Sequence, residues 1–345
     1  MALQQLQHYF IAGSATPDVI TTDVTWPSTF ARSGWLANLN SFHPNTGAFF
    51  PGQVATGQYN GGLYAAPWFI NAEGLYYRTD LIKTPPTSVS QLVSEAKQAM
   101  SQDHKLKEGL AFEGDEYEGA VTAFQSMGAQ ISLKNLTNID NSANTSALNF
   151  MYDAIHTYKI APSAVTGWEE SNVQSAWLSG QTPFALNWPY IFQLSESKTG
   201  SKAAYPAVMN KTGWVPFPSA TPQSSLGGDD LAINAKSTHK AAAWEFIQYL
   251  DSAGAQDTRA ISAGDPPSGA APPFGRMNPR MGRRIQRGAV TAGTDESTWI
   301  CSSTRPSNCS TPTACRSASA RWRPRRLRPR RSPSASAGSP SSRHR

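Results

Sequence analysis

Apolar and polar positions follow two different periods along residues 1–267, and the period changes at turn residues. Short runs rich in β-branched and aromatic residues predict strands, whereas apolar residues three and four positions apart predict helices. The predicted strands are Val19–Val24, Leu63–Phe69, Gly74–Arg78, Phe184–Trp188, Gly213–Phe217 and Leu231–Asn234. One predicted helix is capped by Thr87 or Ser88 and runs to about Ser101; the others are Ser146–Tyr158, Glu170–Leu178 and Lys240–Leu250. Strands that alternate with helices predict an α/β fold built on a mostly parallel sheet.

The helical spacing also predicts which side chains face the core, because residues three and four apart share one face of a helix. In the helix at 146–158 the predicted inward residues are Leu148, Met151, Tyr152 and Ile155. In the helix at 240–250 they are Ala243, Phe246, Ile247 and Leu250.

The periodic pattern stops near residues 264–267, and the charge changes there. Residues 268–345 hold 16 Arg, no Lys and two acidic residues, so the net charge of +6 combines an acidic body with a strongly basic tail. Most of the tail is Arg, Ser, Ala, Pro and Gly, a composition that predicts disorder because it buries little apolar surface. Arg-rich arms are typical of nucleic-acid binding. Abundant Arg without Lys instead favours GC-rich DNA read out of frame, so we predict a frameshift product and no nucleic-acid partner.

Several classes of protein are excluded for residues 1–267. No apolar run approaches the roughly 18 residues that span a bilayer, and the start, MALQQLQHYFIAG, does not resemble a secretory signal. The three cysteines lie at 301, 309 and 315, which excludes thiol catalysis and cysteine-bound zinc in the body. The six His are scattered and no phosphate-binding motif occurs, so we predict neither a metal nor a cofactor.

Adjacent carboxylates form the main enzymatic alternative. A glycosidase needs two carboxylates on opposite sides of a sugar, at a separation that a sequence does not give. We expect the pair Glu169 and Glu170 to lie on a solvated face. The glycosidase hypothesis remains open for the candidate clusters, which are Asp115 with Glu116 and Glu118, and Asp229 with Asp230.

Aromatic residues at predicted strand ends are the more unusual signal. Eight of the ten Trp lie in residues 1–267, and Trp26, Trp68 and Trp188 each adjoin a proline. Strand ends are where ligands bind in open α/β sheets. A flat indole beside carboxylates and amides suits a sugar, which has apolar ring faces and a rim of hydroxyls.

At these aromatic segments the sequence resembles the solute-binding proteins of ABC sugar importers, the class that contains the maltose- and trehalose-binding proteins. The resemblance is clearest in PDVITTDVTWP at 17–27, YNGGLYAAPW at 59–68 and NWPY at 187–190. It covers residues 4–267 as an ordered set, which also includes Gly74–Leu81, Pro85–Thr87, Gly114–Gly119, Gly227–Gly228, Leu231–Asn234 and Ala243–Leu250.

The resemblance implies a two-lobed α/β clamshell, the periplasmic-binding-protein fold, that closes on a sugar without covalent chemistry and is therefore not an enzyme. It implies that Asp23 bonds sugar hydroxyls, that Trp188 is a stacking platform, and that Asn71 stands where relatives often have Asp. Backbone approach to the ligand is expected at two glycines. The complete set of implied ligand-binding residues is Asp23, Trp26, Trp68, Phe69, Asn71, Glu118, Trp188, Tyr190, Gly227 and Gly228.

The resemblance also implies a domain plan and partners. Residues 1–74 form the first part of lobe 1, 75–228 form lobe 2, 229–267 return to lobe 1, and 268–345 are the tail. Relatives extend further at both ends, so the chain is expected to be incomplete, which would weaken or abolish binding.

The expected ligand is a neutral carbohydrate, in particular an α-linked gluco-disaccharide such as trehalose or maltose. The expected protein partners are the permease subunits of an ABC importer, and the protein itself is expected to be a monomer. By resemblance the location is extracytoplasmic, although a start without a signal would leave this product in the cytoplasm.

Overall fold

The computed structural model describes residues 2–115, 119–131 and 139–269, and the backbone of 290–292 and 299–301. The helices are α1 (Ala2–Ile11), α2 (Pro27–Arg32), α3 (Pro51–Thr56), α4 (Val89–Gln102), α5 (Gly119–Ser126), α6 (Ser142–His156), α7 (Glu170–Leu178), α8 (Tyr190–Ser195), α9 (Lys240–Leu250) and α10 (Ala253–Ser262). The strands are β1 (Val19–Asp23), β2 (Gln58–Tyr59), β3 (Gly62–Leu63), β4 (Ala65–Ala72), β5 (Gly74–Arg78), β6 (Phe184–Asn187), β7 (Lys198–Thr199), β8 (Lys202–Ala203), β9 (Thr212–Val215), β10 (Leu226–Ile233), β11 (Val290–Ala292) and β12 (Trp299–Cys301).

Two three-stranded sheets organise the described residues. The first has the order β1-β10-β4, and its register places Asp23 opposite Asp229. The second has the order β6-β5-β9, and its register places Tyr76 opposite Trp214.

The prediction of a mostly parallel sheet is wrong for these sheets, because every ladder between their named strands is antiparallel. A parallel bridge joins Ala111 to Ala185. For the β4–β10 and β5–β9 ladders the reason is the path of the chain: β4 leads into β5 on the way from the first sheet to the second, and β9 leads into β10 on the way back. Segments that cross in opposite directions must pair antiparallel.

Both faces of each sheet are covered, because successive side chains of a strand point to opposite faces. In β10, Leu231 packs with Trp244 of α9, while Ala232 packs on the opposite face with Phe30 of α2. In β5, Leu75 and Tyr77 join one apolar cluster and Tyr76 joins another. The result is two three-layered α/β lobes, which is the clamshell that the resemblance implied.

The lobes are joined where the chain passes from one sheet to the other. Glu73 is the residue between β4 and β5; it is fully buried, and its backbone N–H donates to the Ser225 carbonyl at 3.2 Å. Ser225 directly precedes β10, so both crossings lie side by side. We propose lobe limits at these two residues, which leaves Gly227 and Gly228 in the first sheet rather than in lobe 2.

The predicted inward face of α6 is partly wrong. Leu148 and Tyr152 are 61% and 62% exposed. The helix instead buries Ala147, Phe150 and Ala154. Small alanines let a helix approach its neighbours closely, and a rule that selects only large apolar side chains overlooks them.

Phe246 of α9 was also predicted to be inward and is 50% exposed. The neighbouring Trp244 occupies the core in its place, with Ala243 and Ile247. The indole has more apolar area to remove from water than the phenyl ring, so the orientation that buries Trp244 is preferred.

The prediction that the tail begins at residue 268 is wrong for Ser268 and Gly269. Ser268 is fully buried and its carbonyl accepts from the Phe50 N–H at 3.1 Å, while Gly269 bridges to Phe49. Backbone of the short strands β11 and β12 pairs antiparallel within the stretch predicted to be disordered. The rest of that prediction lies outside the described residues. Among the described residues, no helix combines the length and apolarity needed to cross a membrane.

Candidate functional site

A cavity of about 380 Å³ lies between the two sheets. One wall is formed by the ends of β1, β4 and β10, and the other by α5, α7 and the start of α8. The segment after α10 closes one side. The lining residues are Asp23, Val24, Thr25, Phe69, Asn71, Glu113, Gly119, Thr122, Glu170, Trp188, Tyr190, Leu226, Gly227, Gly228, Asp229, Ala263 and Asp265.

Most of the residues implied by the resemblance line this cavity. They are Asp23, Phe69, Asn71, Trp188, Tyr190, Gly227 and Gly228. Trp26 and Trp68 are not among the lining residues, and Glu118 lies outside the described residues. Trp26 packs near Phe30 in the core of the first lobe, with ring centroids 6.1 Å apart. Trp68 alternates with Phe69 along β4 and packs against the core cluster that contains Leu231.

Asp23 is held at the end of β1 by a local turn. Its Oδ1 accepts from the Thr25 backbone N–H at 2.8 Å and from the Thr25 hydroxyl at 2.7 Å. These bonds fix the direction of the carboxylate at the cavity wall. Such an oriented carboxylate can accept hydrogen bonds from ligand hydroxyls.

Trp188 is fixed by bonds at its own backbone. Its N–H donates to Asn187 Oδ1 at 2.7 Å, and its carbonyl accepts from the Tyr76 hydroxyl at 3.1 Å. The indole lies against Gly227, where a Cβ would come within 2.7 Å of the ring. The absent side chain at Gly227 therefore makes the space that the aromatic ring occupies.

Gly228 shapes the same cavity wall through its backbone conformation. Its φ of +115° is a region that L side chains rarely adopt, and a Cβ there would collide with the Phe69 carbonyl oxygen. The backbone of β10 thus approaches β4 and the cavity more closely than any other residue would permit.

The second lobe supplies a phenol and two carboxylates. Burial raises the pKa of Tyr190 well above its ordinary value, and the neighbouring Glu170 carboxylate, to which the phenol donates, raises it further. The charge of Glu113 acts in the same direction. Tyr190 therefore stays a neutral hydrogen-bond donor over the ordinary pH range.

Four cavity carboxylates were missing from the predicted binding residues: Glu113, Glu170, Asp229 and Asp265. The expectation that Glu170 lies on a solvated face is wrong, because the first turn of α7 points it into the cavity. Asp229 was considered only as half of a catalytic pair. Glu113 and Asp265 stand in irregular segments, where periodicity gives no information; the one available signal was their proximity in sequence to Gly114 and Gly264.

Among the described residues, the cavity offers hydrogen-bond acceptors and no cationic side chain. Asn71 Oδ1 is buried and has no hydrogen-bond partner among the described residues. No Lys, Arg or His of the described part of the chain lines the cavity. Within the same ranges, no group of three or more His, Cys, Asp or Glu is arranged to hold a metal ion. The site is therefore suited to a ligand rich in hydroxyl donors.

Comparison with known proteins gives a consistent picture. A curated relative, a "Probable ABC transporter-binding protein" of Deinococcus radiodurans, is 31% identical over 272 residues, which cover 73% of this chain and 62% of the relative's length. The structure of maltose-bound MalE3 of T. maritima is 31% identical and superposes with a TM-score of 0.72, covering 82% of this chain and 75% of that one.

The fold is shared more widely. The GacH receptor of Streptomyces glaucescens, solved unliganded and with acarbose, superposes with a TM-score of 0.68 at 24% identity, over 78% of this chain and 70% of that one. The sequence model of the family described as bacterial extracellular solute-binding protein matches residues 2–257. With most of its length matched by that family, and with the fold of its solved relatives, the chain belongs to the bacterial extracellular solute-binding proteins.

Proposed function

We propose that this protein binds a neutral carbohydrate, in particular an α-linked gluco-disaccharide such as maltose or trehalose, and delivers it to the permease subunits of an ABC importer. The observation that carries the proposal is the pairing of an aromatic platform, Trp188, with acceptor oxygens of Asp23 and Asn71 around one cavity. Aromatic rings cover the apolar face of a pyranose, while carboxylates and amides bind its hydroxyls.

The charge of the cavity supports a neutral ligand over an anionic one. Carboxylate and phosphate ligands are usually held by Arg or Lys, and none lines the cavity among the described residues. The maltose bound to the T. maritima relative is such a neutral sugar. The printed name of the D. radiodurans relative supports delivery to an ABC importer, and the family's extracellular character supports a location outside the cytoplasmic membrane.

The family assignment argues against the glycosidase alternative. A solute-binding protein releases its ligand unchanged, so the cavity carboxylates act as hydrogen-bond acceptors rather than as an acid and a nucleophile. Sugar analysis after incubation separates the two: we expect maltose to be recovered intact, and release of glucose would favour the enzyme.

Calorimetric titration of the full chain tests the proposal. We expect weak but saturable binding of maltose or trehalose and no signal with a control amino acid. Asp23→Ala should weaken affinity about tenfold or more, since a hydrogen bond to a charged group contributes about 1.5–3 kcal/mol. Trp188→Ala should cost at least as much because it removes the platform, whereas Asp140→Ala, an exposed position, should change nothing. Binding of the amino acid without any disaccharide signal would overturn the proposal.

A further inference from the structure

Arg259, in the last turn of α10, is held by three neighbours that surround its guanidinium group. The guanidinium carbon lies 3.9 Å from the ring centroid of Trp68 and 3.9 Å from that of Phe69. Its Nη2 lies 2.8 Å from Oδ2 of Asp265. A cation against aromatic rings and paired with a carboxylate is attracted by both, and the attraction grows as water is excluded.

Arg259 does not itself line the cavity, but two of its partners do. Phe69 and Asp265 are lining residues, whereas Trp68 and Arg259 stand behind them. The Asp265 side chain is only 9% exposed, so the guanidinium determines which direction its carboxylate faces. Arg259 can therefore influence a ligand only through the side chains that it holds.

The fold of this region has supports that are independent of Arg259. Gln256 Nε2 donates to the Trp68 carbonyl at 2.8 Å and to the Ser268 hydroxyl at 3.0 Å. The Ile70 N–H donates to the Pro266 carbonyl at 3.0 Å. These bonds fix α10 and the following segment on β4, so replacement of Arg259 should release two side chains rather than unfold the segment.

The ion pair also controls the charge of Asp265. Burial raises the pKa of this carboxyl, and Arg259 opposes the rise. The other acidic groups on the cavity walls are Asp23, Glu113, Glu170 and Asp229, with the Tyr190 phenol beside them. Without the guanidinium, Asp265 would take up a proton at a higher pH and lose acceptor strength.

We infer that Arg259 is a positioning residue for sugar binding, which presents the Phe69 ring and the Asp265 carboxylate to the ligand from behind the cavity wall. The inference rests on the proposed function, because its effect is measured on disaccharide affinity.

Two substitutions of Arg259 separate the role of its charge from the role of its shape. Maltose affinity of the full chain is measured by titration from pH 5 to pH 8. Arg259→Gln removes the charge and should weaken binding at pH 7 about tenfold. It should also move the acid-side loss of affinity to higher pH, which a purely structural defect would not do. Arg259→Lys keeps a charge but loses the planar fork, so affinity should fall less and the pH profile should stay near the wild type's. The control is Arg32→Gln, at an exposed position on α2.

The outcomes are distinguishable. If the unmodified chain binds maltose and Arg259→Gln binds it within twofold, with an unchanged pH profile, the inference is overturned and the proposed function stands. If the unmodified chain binds no sugar, the proposed function fails and the inference fails with it. Should Arg259→Gln not fold, Asp265→Asn replaces it: the inference then requires a similar loss at pH 7 and a flatter pH profile, and wild-type binding by that variant overturns it.

Discussion

Glu73 is a buried acid whose removal from water destabilises the folded chain, and the other contacts of the fold compensate for that loss. It stands at the crossing between the lobes and is completely buried. Burial raises the pKa of its carboxyl to about 7, and the Glu170 charge acts in the same direction, although the Ser126 hydroxyl lowers it. Ionising a carboxyl group that is buried away from water costs free energy, so the protonated form is favoured in the folded chain.

Glu73→Gln should therefore change stability in a pH-dependent way. The folded pKa lies above the unfolded value, so the stability contributed by the protonated acid is full near pH 4 and is lost as the pH rises through about 7. Relative to the wild type, the variant should gain on the order of 3 kcal/mol in free energy of unfolding between pH 4 and pH 8.

Urea denaturation at the two pH values measures this difference. Burial also raises the pKa of Asp251, to about 8, but that group is common to both proteins and cancels in the comparison. A difference between variant and wild type that stays constant over this pH range would contradict the expectation.

At the scale of elements, the caps explain why some boundaries were predictable from sequence. Helix α4 begins after Ser88, whose hydroxyl oxygen accepts from the Gln91 N–H at 3.2 Å. Helix α7 matches its predicted limits, with Glu169 and Asn172 forming a reciprocal cap at its start. These bonds satisfy N–H groups that have no partner inside the helix, so residues that can form them are a local signal for a helix start.

Replacement of the α4 cap tests this account. Ser88→Ala should lower the free energy of unfolding by about 1 kcal/mol, since one N–H group of the first turn loses its acceptor. The matched control is Ser101→Ala at the exposed end of the same helix, which should change stability by less than about 0.5 kcal/mol. Equal losses in thermal or urea denaturation would show that the cap is not what stabilises the helix start.

Other elements could not be predicted from the sequence, and the reasons are again physical. Helices α2, α3 and α8 have six residues each, fewer than two turns, and so show no period. The direction of strand pairing depends on the crossings between lobes, which no local pattern encodes. The site residues differ in the same way. Asp23 and Trp188 lie in segments that could be recognised in the sequence, whereas Glu113 and Asp265 reach the cavity only through tertiary contacts.

At the scale of the whole molecule, the segment after α10 is bonded back onto the first lobe. Pro266, Ser268 and Gly269 bond to β4 or to the start of α3, while the basic composition begins just beyond them. A chain ending at Gly269 should therefore keep the stability of the full chain.

Two truncations test how much residues 265–269 contribute to stability. Ending the chain after Gly269 should leave the melting temperature within a few degrees, whereas ending it after Gly264 should lower the melting temperature clearly, because Asp265 and the bonds to Ile70 and Phe50 are lost. Trypsin should release the Arg-rich part first, since its composition predicts backbone without protecting bonds, and such backbone is cut most readily. Equal melting temperatures for both truncations would show that residues 265–269 add nothing to the body.

The contact between Trp188 and Gly227 has an evolutionary consequence. The Trp188 ring lies on one lobe and the space that admits it lies on the other, so neither position can change alone without collision or a void. Across relatives the two positions should covary: a side chain at the position of Gly227 should accompany a smaller ring, or none, at the position of Trp188. Under the proposed function, a change of sugar preference would then proceed by paired substitutions, with the ring lost before the glycine.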